Sequence, residues 1–144
     1  MFEEFKIKYL GIQPVAKVTT LQVESFIGRE FPKHIDEVTL KFYNVKGDNP
    51  NGINRISAAI LKLANKDLSS IDHYIEVANA DSRDVLSQAE YPRCSKLEFD
   101  DFDKKRMKSI YLDDWFEYSN WLNDWPMRIT NQLDNISKRT AAYN

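Results

Sequence analysis

A chain of 144 residues, 42% hydrophobic and 29% charged, is long enough to bury a core in one domain and too ordinary in composition to be disordered. Its net charge of −2 lacks the basic excess with which nucleic-acid binders neutralise phosphate, and a single cysteine, Cys94, excludes an internal disulfide and a cysteine-based zinc site. No run approaches the roughly 18 apolar residues of a membrane span, and the opening MFEEFKIKYLG carries acids where a secretory signal needs positive charge, so the expectation is a cytoplasmic protein with one domain over 1–144.

Residues 1–48 admit two readings. Thr19 and Gln22 have the spacing of a capping box ahead of VESFIGREF. Pro32 opens PKHIDEVTLKFYNV, in which Ile35, Val38, Phe42 and Val45 keep helical spacing. Val38, Leu40 and Phe42 also alternate as strand residues do, as do Phe5, Ile7 and Tyr9. The expected fold is all-α, a single-domain bundle of about five to seven helices; the alternative is α+β with a small N-terminal β-element in 1–48.

The helical core is expected over 53–140. NPNGIN, residues 49 to 54, reads as a turn-rich break. After it Ile56, Ala59, Ile60 and Leu63 fall at helical spacing, and Leu61 and Ala64 widen the stripe, which predicts a central helix enclosed by its neighbours. Asn65 to Asp67 turn the chain, with Asp67 as N-cap, and the next helix places Leu68, Ile71, Tyr74, Ile75 and Ala78 on one face, with His73 and Glu76 opposite. Asp81 and Asp84 predict the start of a short helix that buries Val85, Leu86 and Ala89 and stops before Pro92.

Beyond EFDDFD, Met107, Tyr111, Trp115, Tyr118, Leu122 and Trp125 fall within about 80° of one another on a helical wheel, a long amphipathic helix near 104–125 with an aromatic seam. Pro126 then suits the first turn of a last helix carrying Ile129, Leu133 and Ile136.

Chemistry-bearing patterns are sparse. His34 and His73, the two histidines, share no metal-ligand frame, and DDFD lacks the glycine and spacing of a calcium loop. No phosphate-cradling glycine loop occurs. Cys94 lies between Arg93 and Lys96, which would lower its pKa, but has no neighbouring base. The expectation is no catalytic residue, no metal, no cofactor and no enzymatic activity.

Three features remain. Glu98, Asp100, Asp101 and Asp103, followed by Lys104, Lys105, Arg106 and Lys108, begin an acidic line that Asp113, Glu117 and Asp124 continue, a face suited to a cationic partner. Phe116 stands away from the seam as an anchor for a partner or for the N-terminal segment. Asp114 borders the aromatic face, where an unpaired carboxylate is costly. Arg83 is the predicted partner, with Tyr91 and Pro92 capping the same joint.

The stretches ISAAILKLANKDLSSIDHYIEVANADSRDVLSQAEYPR and LDDWFEYSNWL carry a resemblance. Ala58 to Leu63, Asp67 and Leu68, Arg83 to Leu86, Ala89 to Pro92, and Asp114, Trp115, Tyr118, Trp121 and Leu122 match a pattern RDVLxxAEYP … DWxxYxxWL. The chain thus resembles a group of small bacterial all-helical proteins over residues 53 to 125, with Lys66 where that group has a glycine. The resemblance implies a helical fold and no particular activity. A small acidic chain without catalytic apparatus leads to the functional expectation: a protein-binding module, of the immunity or antitoxin type that inhibits a basic bacterial toxin through its acidic face. A helical scaffold or adaptor without a toxin partner is the alternative, and an enzyme of unknown class the third. No direct contact with nucleic acid or membrane is expected.

Overall fold

The computed structural model describes residues 4, 6–11, 13–97 and 104–141, without the side chains of residues 8, 9, 104 and 125–141. Among the described residues there are six α-helices and no strand, so the fold is all-helical: α1 Thr20–Glu30, α2 Ile35–Phe42, α3 Pro50–Ala64, α4 Ile71–Ala80, α5 Ser82–Glu90 and α6 Lys104–Ala141. Single turns of other helical types lie at Lys6–Leu10, Leu68–Ser70 and Cys94–Lys96.

The N-terminal segment adopts the helical reading. Thr19 Oγ1 accepts from Gln22 N at 3.1 Å and Gln22 Oε1 from Thr19 N at 2.9 Å, so two otherwise orphaned donors of α1 are satisfied reciprocally. Along α2, Val38 and Phe42 are buried together with Val45, while Leu40 is exposed. A strand would have put Leu40 on the same face as both; the core takes the residues four apart instead. Ile7 is fully buried within the turn Lys6–Leu10, where a strand was the alternative. Phe5 and the side chain of Tyr9 lie outside the described residues.

Helix α3 begins at Pro50, earlier than the sequence break at 49–54 implied. Asn49 accepts from Gly52 N at 2.8 Å as N-cap, and Pro50 takes the first helical position, where its missing N–H costs nothing. The same Asn-Pro-Gly composition that marks a turn thus serves here to start a helix. Packing places α3 against α1, α4 and α5. Ile56, Ala58, Ala59, Ile60, Leu61 and Ala64 are buried along it. The three alanines let neighbouring backbones approach, and Ile60 and Leu61, both at 0% exposure, each gain about 1.5–3 kcal/mol from burial.

At the α3–α4 turn Asn65 and Lys66 have φ of 49° and 66°. Left-handed backbone favours glycine, and Lys66 carries a side chain there. Lys66→Gly is expected to stabilise the fold by about 0.5–1 kcal/mol, the relief of left-handed strain less the entropy of a glycine in the unfolded chain. Thermal melts of the variant beside the parent chain measure it, and a lower midpoint would mean that the lysine side chain contributes more than its backbone costs.

Asp67 caps the turn that leads into α4, accepting from Ser69 N at 3.0 Å, and Asp81 caps α5, accepting from Arg83 N at 3.0 Å. Ile71, Ile75 and Ala78 of α4 and Val85, Leu86 and Ala89 of α5 are buried as their spacing predicts. Helix α6 runs on through Pro126, where a new helix was expected to begin. Proline's fixed φ fits a helix interior as well as a first turn; only the missing donor and the clash with the preceding turn distinguish the two. The side chains of Trp125, Ile129, Leu133 and Ile136 lie outside the described residues. No helix among the described residues is long and apolar enough to cross a membrane.

Candidate functional site

The stretches around Tyr91 and Trp115 meet in space. Helix α5 ends at Glu90 because Pro92 follows, and the chain then enters the single turn Cys94–Lys96. A turn that starts this way leaves its first amides without intrahelical partners. Asp114, on α6, supplies the acceptor. Its side chain is buried to 2% exposure and accepts from Arg93 N at 3.1 Å, Cys94 N at 3.0 Å and Arg93 Nη1 at 3.0 Å. The carboxylate thus caps a turn that lies 20 residues earlier in the chain.

A second arm of Arg93 reaches Glu117 Oε1 at 3.2 Å, and Glu117 Oε2 takes Lys62 Nζ at 2.8 Å. Lys62 Nζ also donates to Ala89 O at 2.7 Å, one of the carbonyls left free at the end of α5. Burial pushes the Glu117 carboxyl up, but Lys62 and Arg93 outweigh it and hold it below its ordinary range. Two turns earlier on the same face of α3, Arg55 grips Glu90 through Nε at 2.8 Å and Nη2 at 2.6 Å, a bidentate pair whose carboxylate is nearly inaccessible. The fully buried Tyr118 lies among these groups, with Lys62 Nζ 5.6 Å from its ring centre and its hydroxyl pushed well above the ordinary tyrosine range, chiefly by burial. Its ring stacks on Trp121 at 6.0 Å, and Trp121 packs against Phe26 at 5.1 Å. Arg29 lies over Trp121 at 4.4 Å and donates to its carbonyl at 2.7 Å. A band of paired charges and rings therefore joins α1, α3, α5 and α6.

This placement corrects the predicted joint. Arg83 does not reach Asp114: its side chain, 86% exposed, folds back on the N-cap Asp81 at 2.8 Å. The arginine of the joint is Arg93, and Tyr91 and Pro92 lead directly into it. Arg83 loses the competition because Asp81 is two residues away and already held at the start of the same helix, so closure requires almost no ordering of chain. The thiol of Cys94 also departs from expectation. Burial first, then the Asp114 carboxylate, pushes its pKa up, so neighbouring Arg93 and Lys96 leave it unactivated.

Of the proposed acidic line, Glu98, Asp100, Asp101 and Asp103 lie outside the described residues. Asp113 is exposed; Glu117 is engaged by Lys62 and Arg93; Asp124 is half-buried and has an interaction of its own. Phe116 is 43% exposed. Trp115, Tyr111, Met107 and Leu122 are half-buried, whereas Asp114 and Tyr118 are the most deeply enclosed among the described side chains of the helix. The inward face is thus turned by roughly 50° from the aromatic seam towards Asp114 and Trp121. Sequence reasoning missed Arg93, Lys62, the Arg55–Glu90 pair and Arg29. Glu90 had a signal: four residues after Leu86 and next to Ala89, it falls on the apolar face of its own helix.

The cations of this band are matched by carboxylates or carbonyls, and its thiol and phenol are both shifted away from reactivity. Among the described residues no three His, Cys, Asp or Glu gather where they could hold a metal ion. The band is built to hold helices together. Comparison of the chain with protein-family models, with curated proteins and with solved structures gave no match.

Proposed function

We propose that this chain is a small protein-binding module, without catalytic activity or cofactor, of the inhibitor type by which an immunity or antitoxin protein blocks a basic toxin in the bacterial cytoplasm. The observation that carries the reading is the outward face of α6, where Phe116, 43% exposed, stands one turn after the exposed Asp113. A large ring beside a carboxylate on a helix that is anchored from behind suits a partner offering an apolar pocket rimmed by cations. Charge steers the encounter, and the ring gives the contact its lifetime. We extend the proposal to the bacterial proteins with the RDVLxxAEYP … DWxxYxxWL pattern: the carboxylate of their DW pair caps the turn after their AEYP, as Asp114 does here.

A second reading, a scaffold or adaptor without a toxin partner, draws support from α2. Leu40 and Tyr43, 65% and 78% exposed, lie one turn apart on its outer side. Capture from the native cell with the tagged protein at low and high salt separates the two. The inhibitor reading expects one basic partner, weakened by salt, whose affinity falls about tenfold or more in Phe116→Ala, as for an interface hot spot, and also falls in Asp113→Lys. Capture that ignores salt and both α6 variants but is lost in Tyr43→Ala would replace it with the adaptor.

A further inference from the structure

Besides Arg29 Nη2, two enclosed side-chain atoms have no hydrogen-bond partner among the described residues: the hydroxyl oxygen of Tyr118 and the side-chain nitrogen of Gln13. Both residues line the same small cavity, of about 10 Å³, whose walls also include Glu90, Tyr91 and Asp114. A buried hydroxyl and a buried amide each carry a desolvation cost that a partner must offset. The volume decides which partner fits, since room of this size admits one water-sized species and nothing larger.

The wall chemistry narrows the choice further. The Gln13 nitrogen is a donor and requires an acceptor, which neither ammonium nor a metal cation offers. An anion would face the carboxylates of Glu90 and Asp114. Glu90 retains acceptor capacity, because Arg55 takes only two of the roughly four lone-pair positions of a carboxylate.

We propose that this cavity is a structural-water site, in which one water molecule accepts from Gln13 Nε2, bonds to Tyr118 Oη and donates to the carboxylate of Glu90. The water joins three stretches of chain: the segment that carries Gln13 ahead of α1, the end of α5, and the middle of α6. It explains how a segment without regular structure is held with Ala16 and Val18 buried against the helices, since its polar side chain is anchored in the same place as its apolar ones.

A high-resolution crystal structure, together with urea unfolding of Tyr118→Phe, tests the site. The phenylalanine keeps the ring and its packing and removes only the hydroxyl. The expected result is a single water peak within hydrogen-bond distance of Tyr118 Oη and the Gln13 side chain, with a Tyr118→Phe midpoint shifted to lower urea and faster amide exchange in residues 13–18. No peak at that place, or a Tyr118→Phe midpoint equal to or above that of the parent chain, would overturn the proposal, because deleting a hydroxyl that lacks any partner relieves a cost instead of adding one.

Discussion

Asp114→Ala is expected to cost the fold about 3 kcal/mol, the larger part of it from two backbone amides rather than from the ion pair. The Asp114 side chain is 2% exposed and accepts from Arg93 N and Cys94 N as well as from the Arg93 guanidinium. A hydrogen bond to a charged acceptor contributes about 1.5–3 kcal/mol, and a partly buried amide stripped of its acceptor keeps its desolvation cost. The guanidinium adds little, since its side chain is 45% exposed and water takes over when the carboxylate is gone. Asp114→Asn retains one acceptor oxygen in the same place without the charge, and about half the loss is expected. With a urea dependence of about 1.5–2 kcal/mol per molar, the alanine variant unfolds at a midpoint lower by about 1.5–2 M. A shift under about 0.5 M would mean that the amides of the 93–94 turn find solvent readily and that the turn is not held by α6.

The devices that the sequence disclosed are those that close within a few residues. The capping box of Thr19 with Gln22 and the caps at Asp67 and Asp81 are each read from the sequence alone, because the groups they satisfy are the helix's own first amides. Apolar spacing gave α3, α4 and α5 their inward faces for a similar reason: a stripe three and four residues apart has to be covered by something, whatever that neighbour is. What spacing does not supply is the neighbour. On a helical wheel Asp114 stands at the edge of an aromatic face, an angle that requires a partner but does not choose between Arg83 and Arg93. Local competition decides it, since Asp81 takes Arg83 first. The 50° turn of α6 has the same origin. Six aromatic and aliphatic residues weighted equally put the face at their mean direction, whereas the deepest positions are those where a carboxylate meets the 93–94 amides and where Trp121 meets Phe26 and Arg29. The acidic line follows the sequence of α6 and the residues before it, whereas in the fold α3 brings Lys62 alongside Glu117 and takes that carboxylate out of the line.

Glu90→Ala is expected to destabilise by about 3 kcal/mol and Arg55→Met by nearly as much, while Arg55→Met with Glu90→Leu together costs far less than the sum. The carboxylate is 5% exposed and the guanidinium 25%, so water reaches neither group freely. The Glu90 bond is the leading reason that the Arg55 charge is held more firmly than usual, ahead of an opposing desolvation. Removing one member leaves the other enclosed without its counter-charge, which is the costly state. Removing both and filling the space with apolar side chains returns most of the loss, because the attraction within a buried pair does little more than offset the desolvation of its two ions. Urea unfolding of the two single variants and the double variant closes the cycle, and single losses that simply add would show that the two side chains act independently. The same cycle bears on how the helices choose their register. Arg55 sits nearly two turns into α3 from its N-cap Asn49, and Glu90 is the last residue of α5. An apolar pair at these positions could slide along the small-residue face of Ala58 and Ala59, whereas two parallel bonds at 2.8 and 2.6 Å admit one arrangement. If the double variant is nearly as stable as the parent chain yet shows broadened amide resonances in α5, the pair contributes chiefly to specifying where α5 lies on α3, and Asp114, which holds the turn beyond it, then contributes most of the stability at that end of the fold.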